Sequence, residues 1–445
     1  MNYDVLKDLI KDKKLADAKK ILVEMNEYDI ATLIEDLPSD VLIKVFRLLP
    51  KDLATDVFVN FDEDVQHELI SLLTKKEAKS LIDDMFTDDI VDLFEEMPAI
   101  LVTSLLGNLD KETRNTINLL LRYPENSAGS LMATEYIHLK KGLTIKESID
   151  RIRKQKDDFV SYDSCFVTDR ERKLLGTVTI KDLLVNDMDT MIDDIMIECE
   201  HSINTMMDQE DVAKCFQDYN YSSLPVVDSE NRLVGIITID DIVDIMEEEA
   251  TEDIEKMAAI VPTEKPYLKL NIWDIYKSRM PWLLFLMISA TFTGGIISSF
   301  EGALASQAIL TVFIPMIMGT GGNAGGQASV TIIRALSLDE VEFKDAFRVI
   351  LKESVVGIIC GLTLAICNFF KLWLLDGTTV LVSFVVCLSL FLTVLLAKII
   401  GALLPILADK LKLDPAVMAN PIITTIVDAG SLLVYFKVAT LLLGL

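Results

Sequence analysis

The sequence PWLLFLMISATFTGGIISSF, residues 281–300, is a run of twenty residues without a charged side chain. A helix of that length covers about 30 Å, which is the thickness of the hydrocarbon core of a bilayer. Four further apolar stretches follow it, so the sequence predicts a polytopic α-helical membrane domain with five spans in residues 281–445. The predicted spans are 281–300, 303–320, 349–375, 378–407 and 415–443.

The charge of the chain changes near the first span. Residues 1–280 contain 33 Lys and Arg against 59 Asp and Glu, whereas residues 281–445 contain 9 against 10. The total net charge of −27 therefore divides into −26 and −1. A strongly acidic body repels nucleic acid and attracts cations. We therefore expect a water-soluble first part with no nucleic-acid partner and with inorganic cations as ligands.

The basic residues near the spans predict the topology. They flank the first span on its amino side, follow the second span and precede the fifth, and the connections between them carry Glu301 and Asp376. By the positive-inside rule, the amino-terminal part is cytoplasmic and the carboxyl end lies outside a multi-pass plasma-membrane protein. The start of the chain has no apolar h-region, so no secretory signal is expected. The basic residues are Lys277, Arg279, Arg334, Lys344, Arg348, Lys352, Lys410 and Lys412.

Residues 33–122 contain a repeat of twelve residues in eight copies without a gap, such as LIEDLP at residue 33 and VFRLLP at residue 45. The fifth position of each copy is apolar, and in three copies a proline follows that is expected to end the helix. One short helix and a turn per copy predict an all-α superhelical solenoid as the domain of residues 1–131. Its acidic positions mostly suit a solvated surface, but the run from Asp83 to Glu96 is dense enough to help hold a cation.

Residues 132–250 contain a second repeat, in which positions 59 residues apart correspond. Each copy predicts two strands and a helix, which gives a tandem α/β module of about 132–190 and 196–250. The stretches SLPVVDSENRLVGIITIDDI (223–242) and FVTDRERKLLGTVTIKDLL (166–184) resemble the second half of a CBS domain. In that family a Thr-x-x-Asp often holds the ribose of an adenine nucleotide, and many CBS pairs bind nothing. Residues 251–280 are predicted to be a connecting (plug) helix.

The glycine-rich stretch PMIMGTGGNAGGQAS, residues 315–329, lies in the second predicted span. Non-helical backbone at membrane depth is tolerated where it lines a wet cavity, so we expect freed carbonyl groups to face an ion there. Close helix packing through small residues is the alternative.

The fifth predicted span carries a carboxylate in apolar surroundings. Asn420, Thr424 and Asp428 are spaced i, i+4, i+8 and form one oxygen-bearing stripe. A carboxylate in the membrane costs at least about 2.5 kcal/mol on insertion scales, so a functional role is expected. The alternative is a salt bridge of Asp428 to Lys398 or Lys437. Oxygen ligands without His or Cys favour Mg2+ or Ca2+ over Zn2+.

The glycine-rich stretch, DPAVMANPIITTIVDAG (414–430), the α/β pair followed by EEEATEDI, and YPENSAGSLM (123–132) together resemble the MgtE family of magnesium channels, over nearly the whole chain. The resemblance implies a homodimer with five spans per subunit and a pore on the dimer axis. It also implies a cytoplasmic part that closes around Mg2+, with the segment from Tyr267 to Arg279 blocking the pore. Asn220, Gly326 and Ala328 depart from the family pattern, which puts the number of sensor ions and the selectivity in doubt.

The resemblance assigns roles to individual residues. Asp428, with Asn420 and Asn323 nearby, would bind the hydrated ion in the pore. Asp414 would meet Glu252 and Asp253 through bound Mg2+. Asp88, Asp89 or Asp92 would bridge the helical repeat and the CBS pair. Further sensor ligands would be Asp208, Glu210, Asp241, Asp244 and Glu249. ATP, as a candidate modulator, would bind at Thr179, Lys181, Asp182, Tyr221 and Thr238.

Three other functions remain open on the sequence. A proton- or sodium-coupled divalent cation transporter would need a second titrating group in the membrane, for which Glu353 and Lys398 are candidates. A CBS-regulated anion channel would need a basic pore lining. An enzyme is not expected, because residues 1–280 show no nucleophile with a base, no phosphate loop and no catalytic metal cluster.

Overall fold

The computed structural model describes residues 9–10, 12, 14–35, 37–154, 159–263, 265, 267–418 and 420–444. The chain divides into two compact units, Met1–Met246 and Glu247–Leu445.

The first unit opens with a series of short helices, nine of them in the described part. They are α1 (Leu15–Leu22), α2 (Glu27–Ile34), α3 (Ser39–Phe46), α4 (Lys51–Val59), α5 (Glu63–Leu72), α6 (Lys75–Ile82), α7 (Thr87–Glu96), α8 (Ala99–Leu106) and α9 (Lys111–Leu120). Their first residues lie 12 apart, as the repeat predicts. Pro38, Pro50 and Pro98 occupy the N-cap positions of α3, α4 and α8, so these prolines begin the next helix rather than end the previous one.

The helices of this series pack through one apolar core. From α2 to α9, each helix contacts the second helix after it. The apolar fifth position of the repeat lies in the turn after each helix. The side chains at this position are buried in, or partly buried against, the core; they are Leu37, Leu49, Phe61, Leu73, Met85, Met97, Leu109 and Leu121. Burying this position in every copy fixes the turn between successive helices.

Two small sheets follow in the first unit. One has the strand order β1 (His138–Lys140), β2 (Ser164–Thr168), β3 (Leu174–Thr179) and β4 (Ile197–Glu198). The other has the order β5 (Ile203–Asn204), β6 (Ser223–Val227) and β7 (Leu233–Thr238). The helices are α10 (Ala128–Leu131), α11 (Ile145–Lys154), α12 (Ile180–Val185), α13 (Ile192–Ile195), α14 (Gln209–Tyr219) and α15 (Ile239–Met257), the last of which continues into the second unit.

The two sheets repeat each other at the predicted shift of 59 residues. In both, the first strand is parallel to the second and the second is antiparallel to the third. The register shifts between Val167 and Thr168 in one sheet and between Val226 and Val227 in the other, which is again a difference of 59. The sequence repeat therefore corresponds to a structural repeat down to the irregularity of its strands.

The second unit contains five long helices. They are α16 (Ile272–Ser299), α18 (Leu310–Ser337), α19 (Ala346–Leu374), α20 (Val380–Lys410) and α21 (Asn420–Leu443); the short α17 (Glu301–Ser306) precedes α18. Four candidate spans, which correspond to α16, α19, α20 and α21, are long and apolar enough to cross a membrane. The glycine-rich α18 is not among them, and it begins at Leu310 and ends at Ser337 rather than covering residues 303–320.

The expectation of non-helical backbone in residues 315–329 is wrong, because α18 is helical throughout. Its glycines instead permit close helix contacts. A Cβ atom at Gly321 would lie 2.8 Å from Ser431 Oγ of α21. On α20, a Cβ atom at Gly401 would lie 2.2 Å from the carbonyl oxygen of Gly325. The small residues therefore let α18 lie directly against α20 and α21.

We predict that Gly401→Ala destabilises the second unit, because its methyl group overlaps the α18 backbone. The expected cost is about 1–3 kcal/mol, as for overpacked cores. The measurement is the thermal midpoint of the detergent-solubilised protein. Gly294→Ala is the matched control, since a Cβ atom there meets nothing within 4 Å. Equal midpoints for the two variants would contradict the close contact.

Candidate cation sites

Carboxylates from the helical series and from the second α/β repeat lie close together in the first unit. Burial raises the pKa of Asp88 well above its usual value, and Asp89 and Asp241 raise it further. Burial and Asp241 raise the pKa of Asp89 to about 7. Burial and neighbouring Asp240 raise that of Asp241 to about 6. The ionised forms of this acidic cluster therefore repel one another, and a cation between them would relieve the repulsion.

The packing of α7 explains why these groups meet. Val91 of α7 shares a core with Phe216 of α14 and Ile242 of α15, next to Asp241. At the start of α7, the Thr87 hydroxyl donates a hydrogen bond to Glu135 Oε2 at 2.8 Å. It also accepts one from the backbone N–H of Thr134 at 2.9 Å. The apolar face of α7 thus holds its acidic first turn against the second repeat.

The other expected sensor residues of the first unit lie nearby in sequence but are exposed. Asp92 is on α7, and Asp244 is on α15. Asp208 caps α14 by accepting a hydrogen bond from the N–H of Glu210 at 3.0 Å, so its carboxylate has a structural task. Glu249 is partly buried on the part of α15 that belongs to the second unit.

A second group of charges lies in the second unit, between the end of α15 and the segment before α21. Lys256 Nζ lies 2.8 Å from Glu252 Oε1 and 2.8 Å from Asp414 Oδ2. Asp414 Oδ1 accepts a hydrogen bond from the N–H of Ala416 at 2.7 Å. Burial raises the pKa of Asp253, and the nearby Asp414 raises it further. The structure therefore brings together Glu252, Asp253 and Asp414, as expected, with a lysine that the sequence analysis missed.

Asp428 lies on α21, opposite the glycines of α18. A Cβ atom at Gly322 would be 3.1 Å from Thr424 Cγ2 and 4.0 Å from Asp428 Oδ1. In the described part of the chain no Lys or Arg nitrogen lies within 4 Å of Asp428, and Lys398 pairs with Glu353 instead at 3.9 Å. The expected alternative, a salt bridge to Lys398, is therefore wrong. Asp428 is a half-buried carboxylate without a counter-ion among the described residues.

The other two expected pore residues have different positions. Asn323 is on α18, and its side chain is exposed, as are Gly319 and Gln327 at i−4 and i+4. These positions form one open stripe on a helix whose opposite face is buried. Asn420 begins α21, but its side chain lies outside the described part.

The candidate nucleotide residues take part in helix caps and in an aromatic group. Thr179 and Asp182 form a capping box, in which the Thr179 hydroxyl donates to Asp182 Oδ2 at 2.6 Å. Thr238 donates to Asp241 Oδ2 at 2.9 Å. Tyr221 lines a pocket of about 290 Å3 with Asn220 and Ile239, but among the described residues its lining excludes Thr179, Lys181 and Asp182. Capping is the structural reading of both Thr-x-x-Asp motifs.

Across the described residues, no three His, Cys, Asp or Glu side chains are arranged as a ready metal cage. The carboxylate groups are neighbourhoods of negative charge. Such groups suit a hydrated hard cation, which needs no close ligand shell from the protein.

Comparisons with known proteins agree with the order of these parts. The profile of MgtE, described as a divalent cation transporter, matches residues 314–438, that of the MgtE intracellular N domain matches 25–126, and that of the CBS domain matches 128–189 and 192–248. The magnesium transporter MgtE of Thermus thermophilus is 35% identical over 98% of both chains. That of Bacillus subtilis is 33% identical over 97% of this chain and 95% of its own.

Two solved structures are similar to the soluble part. The cytosolic domain of the Mg2+ channel MgtE in complex with ATP has a TM-score of 0.52 at 30% identity and covers 55% of this chain and 99% of that one. The soluble part of a magnesium transporter has a TM-score of 0.52 at 27% identity and covers 56% of this chain and 98% of that one.

We predict that Asp89→Asn stabilises the first unit in divalent-free buffer, because it removes one repelling charge from the acidic cluster. The gain should be about 1 kcal/mol or more, since each unit of pKa shift corresponds to 1.36 kcal/mol. Amide hydrogen exchange across residues 87–96 of the full chain measures it. Asp52→Asn, an exposed acid of the same helical series, should change nothing. Faster exchange in Asp89→Asn would contradict the repulsion.

Proposed function

The chain belongs to the MgtE family of divalent cation transporters, and from this we propose that it carries Mg2+ across the plasma membrane through a channel that its acidic cytoplasmic part closes when Mg2+ binds. It is a transporter and not an enzyme. The observation that carries the proposal is Asp428, a carboxylate on a membrane helix without a counter-ion in the described part of the chain. The relatives named as magnesium transporters support Mg2+ as the substrate.

In the proposed pore, Asp428 attracts the ion and the exposed stripe of α18 lines its path. The close approach of Gly322 leaves no side chain between α18 and the carboxylate. Asn323 supplies an amide oxygen, and Asn420 is proposed as a further ligand. Because each subunit offers one carboxylate, a second copy facing the first would double the charge. We therefore propose a homodimer with the pore between subunits.

Gating is proposed to arise from the acidic groups of the cytoplasmic part. When cytoplasmic Mg2+ is scarce, the carboxylates of the acidic cluster repel one another and the closed arrangement is disfavoured. Bound Mg2+ supplies positive charge between carboxylates. Asp88, Asp89, Asp92 and Asp241 would then stay close, with Asp208, Glu210 and Asp244 as further ligands. In the second unit, Glu249, Glu252, Asp253 and Asp414 would hold the end of α15, and the segment from Tyr267 to Arg279 would block the pore.

The finer architecture is also proposed. The nine described helices of the first unit would form a superhelical solenoid as the domain 1–131. The tandem CBS domain would cover 132–250, the plug helix 251–280 and the pore domain 281–445. The glycine-rich α18 would be the fifth span, although its composition sets it apart from the other four. With five spans and a cytoplasmic amino-terminal part, the carboxyl end would lie outside the cell.

ATP is proposed as a modulator, because the cytosolic domain of a relative binds it at 30% identity. Lys181 is exposed beside the Thr179–Asp182 cap, where it could meet a phosphate group. Tyr221 lines a pocket next to Thr238, which suits an adenine ring. The protein would thus offer polar groups and a pocket, in different places along the second part of the first unit.

We predict that Asp428→Asn lowers Mg2+ uptake into liposomes at least tenfold, because the amide keeps the size of the side chain and removes the charge that attracts the ion. Asp376→Asn is the matched control, since Asp376 pairs with Lys371 in the connection after α19.

Unchanged uptake by Asp428→Asn would contradict the pore assignment. Uptake that follows an imposed proton gradient would favour a coupled transporter, in which the Glu353–Lys398 pair would be the second titrating group. The same liposomes with and without the gradient distinguish the two mechanisms.

A further inference from the structure

Lys256 occupies carboxylate oxygens that the proposed gate needs for its cation. Its ammonium nitrogen lies 2.8 Å from Glu252 Oε1 and 2.8 Å from Asp414 Oδ2. The other oxygen of Asp414 accepts the N–H of Ala416. Both oxygens of Asp414 are therefore engaged by groups of this chain.

The ion pairs join two different elements of the second unit. Glu252 and Lys256 are i and i+4 on α15, so the helix itself sets their spacing. Asp414 is far along the chain, at the start of the segment Pro415–Met418 that precedes α21. Lys256 thus connects the end of α15 to the entry of a membrane helix without any metal ion.

The charges leave this group short of balance. Glu252, Asp253 and Asp414 carry three negative charges, and Lys256 compensates one of them. Asp253 has no ion-pair partner in the described residues, and its pKa is raised by burial and by Asp414. A divalent cation is therefore attracted to the group, yet it meets an ammonium ion at the oxygens it would use.

We propose that Lys256 is a built-in competitor of the regulatory cation, which must displace the ammonium group from Glu252 and Asp414 and therefore closes the channel only at a higher concentration. This inference rests on the proposed function, since it concerns the Mg2+ threshold of that gate. The lysine also holds the end of α15 in place when Mg2+ is absent, so one side chain acts as a weak permanent substitute for the ion.

The variant Lys256→Met tests the competition, because methionine keeps the apolar stem and removes the charge. The concentration of cytoplasmic-side Mg2+ that halves uptake should fall by roughly three- to tenfold, the range expected when a partly exposed ion pair no longer opposes binding. Lys256→Arg keeps the charge and should restore a threshold close to that of the wild type. Lys344→Met removes a lysine that pairs with Glu342 on an exposed segment, and it should leave the threshold unchanged.

A second readout separates this inference from the proposed gate. Titration of the purified full-length protein with MgCl2 at constant ionic strength should show tighter binding to Lys256→Met, and Lys256→Gln serves if the first variant does not fold. Wild-type uptake that ignores Mg2+ would sink the gate, and tighter binding to the variant would still support the competition. An unchanged or higher threshold together with unchanged or weaker binding would overturn the role of Lys256.

Discussion

Repulsion between carboxylates that the fold holds close together is the constraint on which this protein depends. The apolar contacts of Val91 bring the first turn of α7 to Asp241, although the resulting neighbours raise each other's pKa. A fold that served stability alone would place these side chains in solvent. The apolar core therefore supplies the free energy that keeps the acidic cluster together, and a cation recovers part of it on binding.

The membrane unit depends on an absence of side chains in the same way. Gly321, Gly322 and Gly325 let α18 approach α20 and α21 closely, and Gly401 matches them from α20. The carboxylate of Asp428 then faces backbone rather than a bulky group. Since Lys398 pairs with Glu353, the charge of Asp428 has no counter-ion in the described part and is available to an ion.

The sequence predicted much of this because its patterns are strictly periodic. The spacing of 12 residues placed the start of every described short helix, and the shift of 59 placed both strands and their bulges. It was wrong about the glycine-rich stretch because glycine composition alone does not distinguish a broken helix from a tightly packed one. It missed Lys256 and Thr87 because their partners lie far along the chain, at Asp414 and Glu135. Local spacing gave only the Glu252–Lys256 pair as a signal.

The account as a whole makes one central claim, that cytoplasmic Mg2+ closes the path it travels. The most direct test is uptake of Mg2+ by wild-type protein in liposomes, with the Mg2+ concentration on the side of the acidic unit varied at constant ionic strength and at equal pH on both sides. The account predicts that uptake falls steeply as that concentration rises, and that it proceeds without a proton gradient. Uptake that is independent of Mg2+ on that side would contradict it.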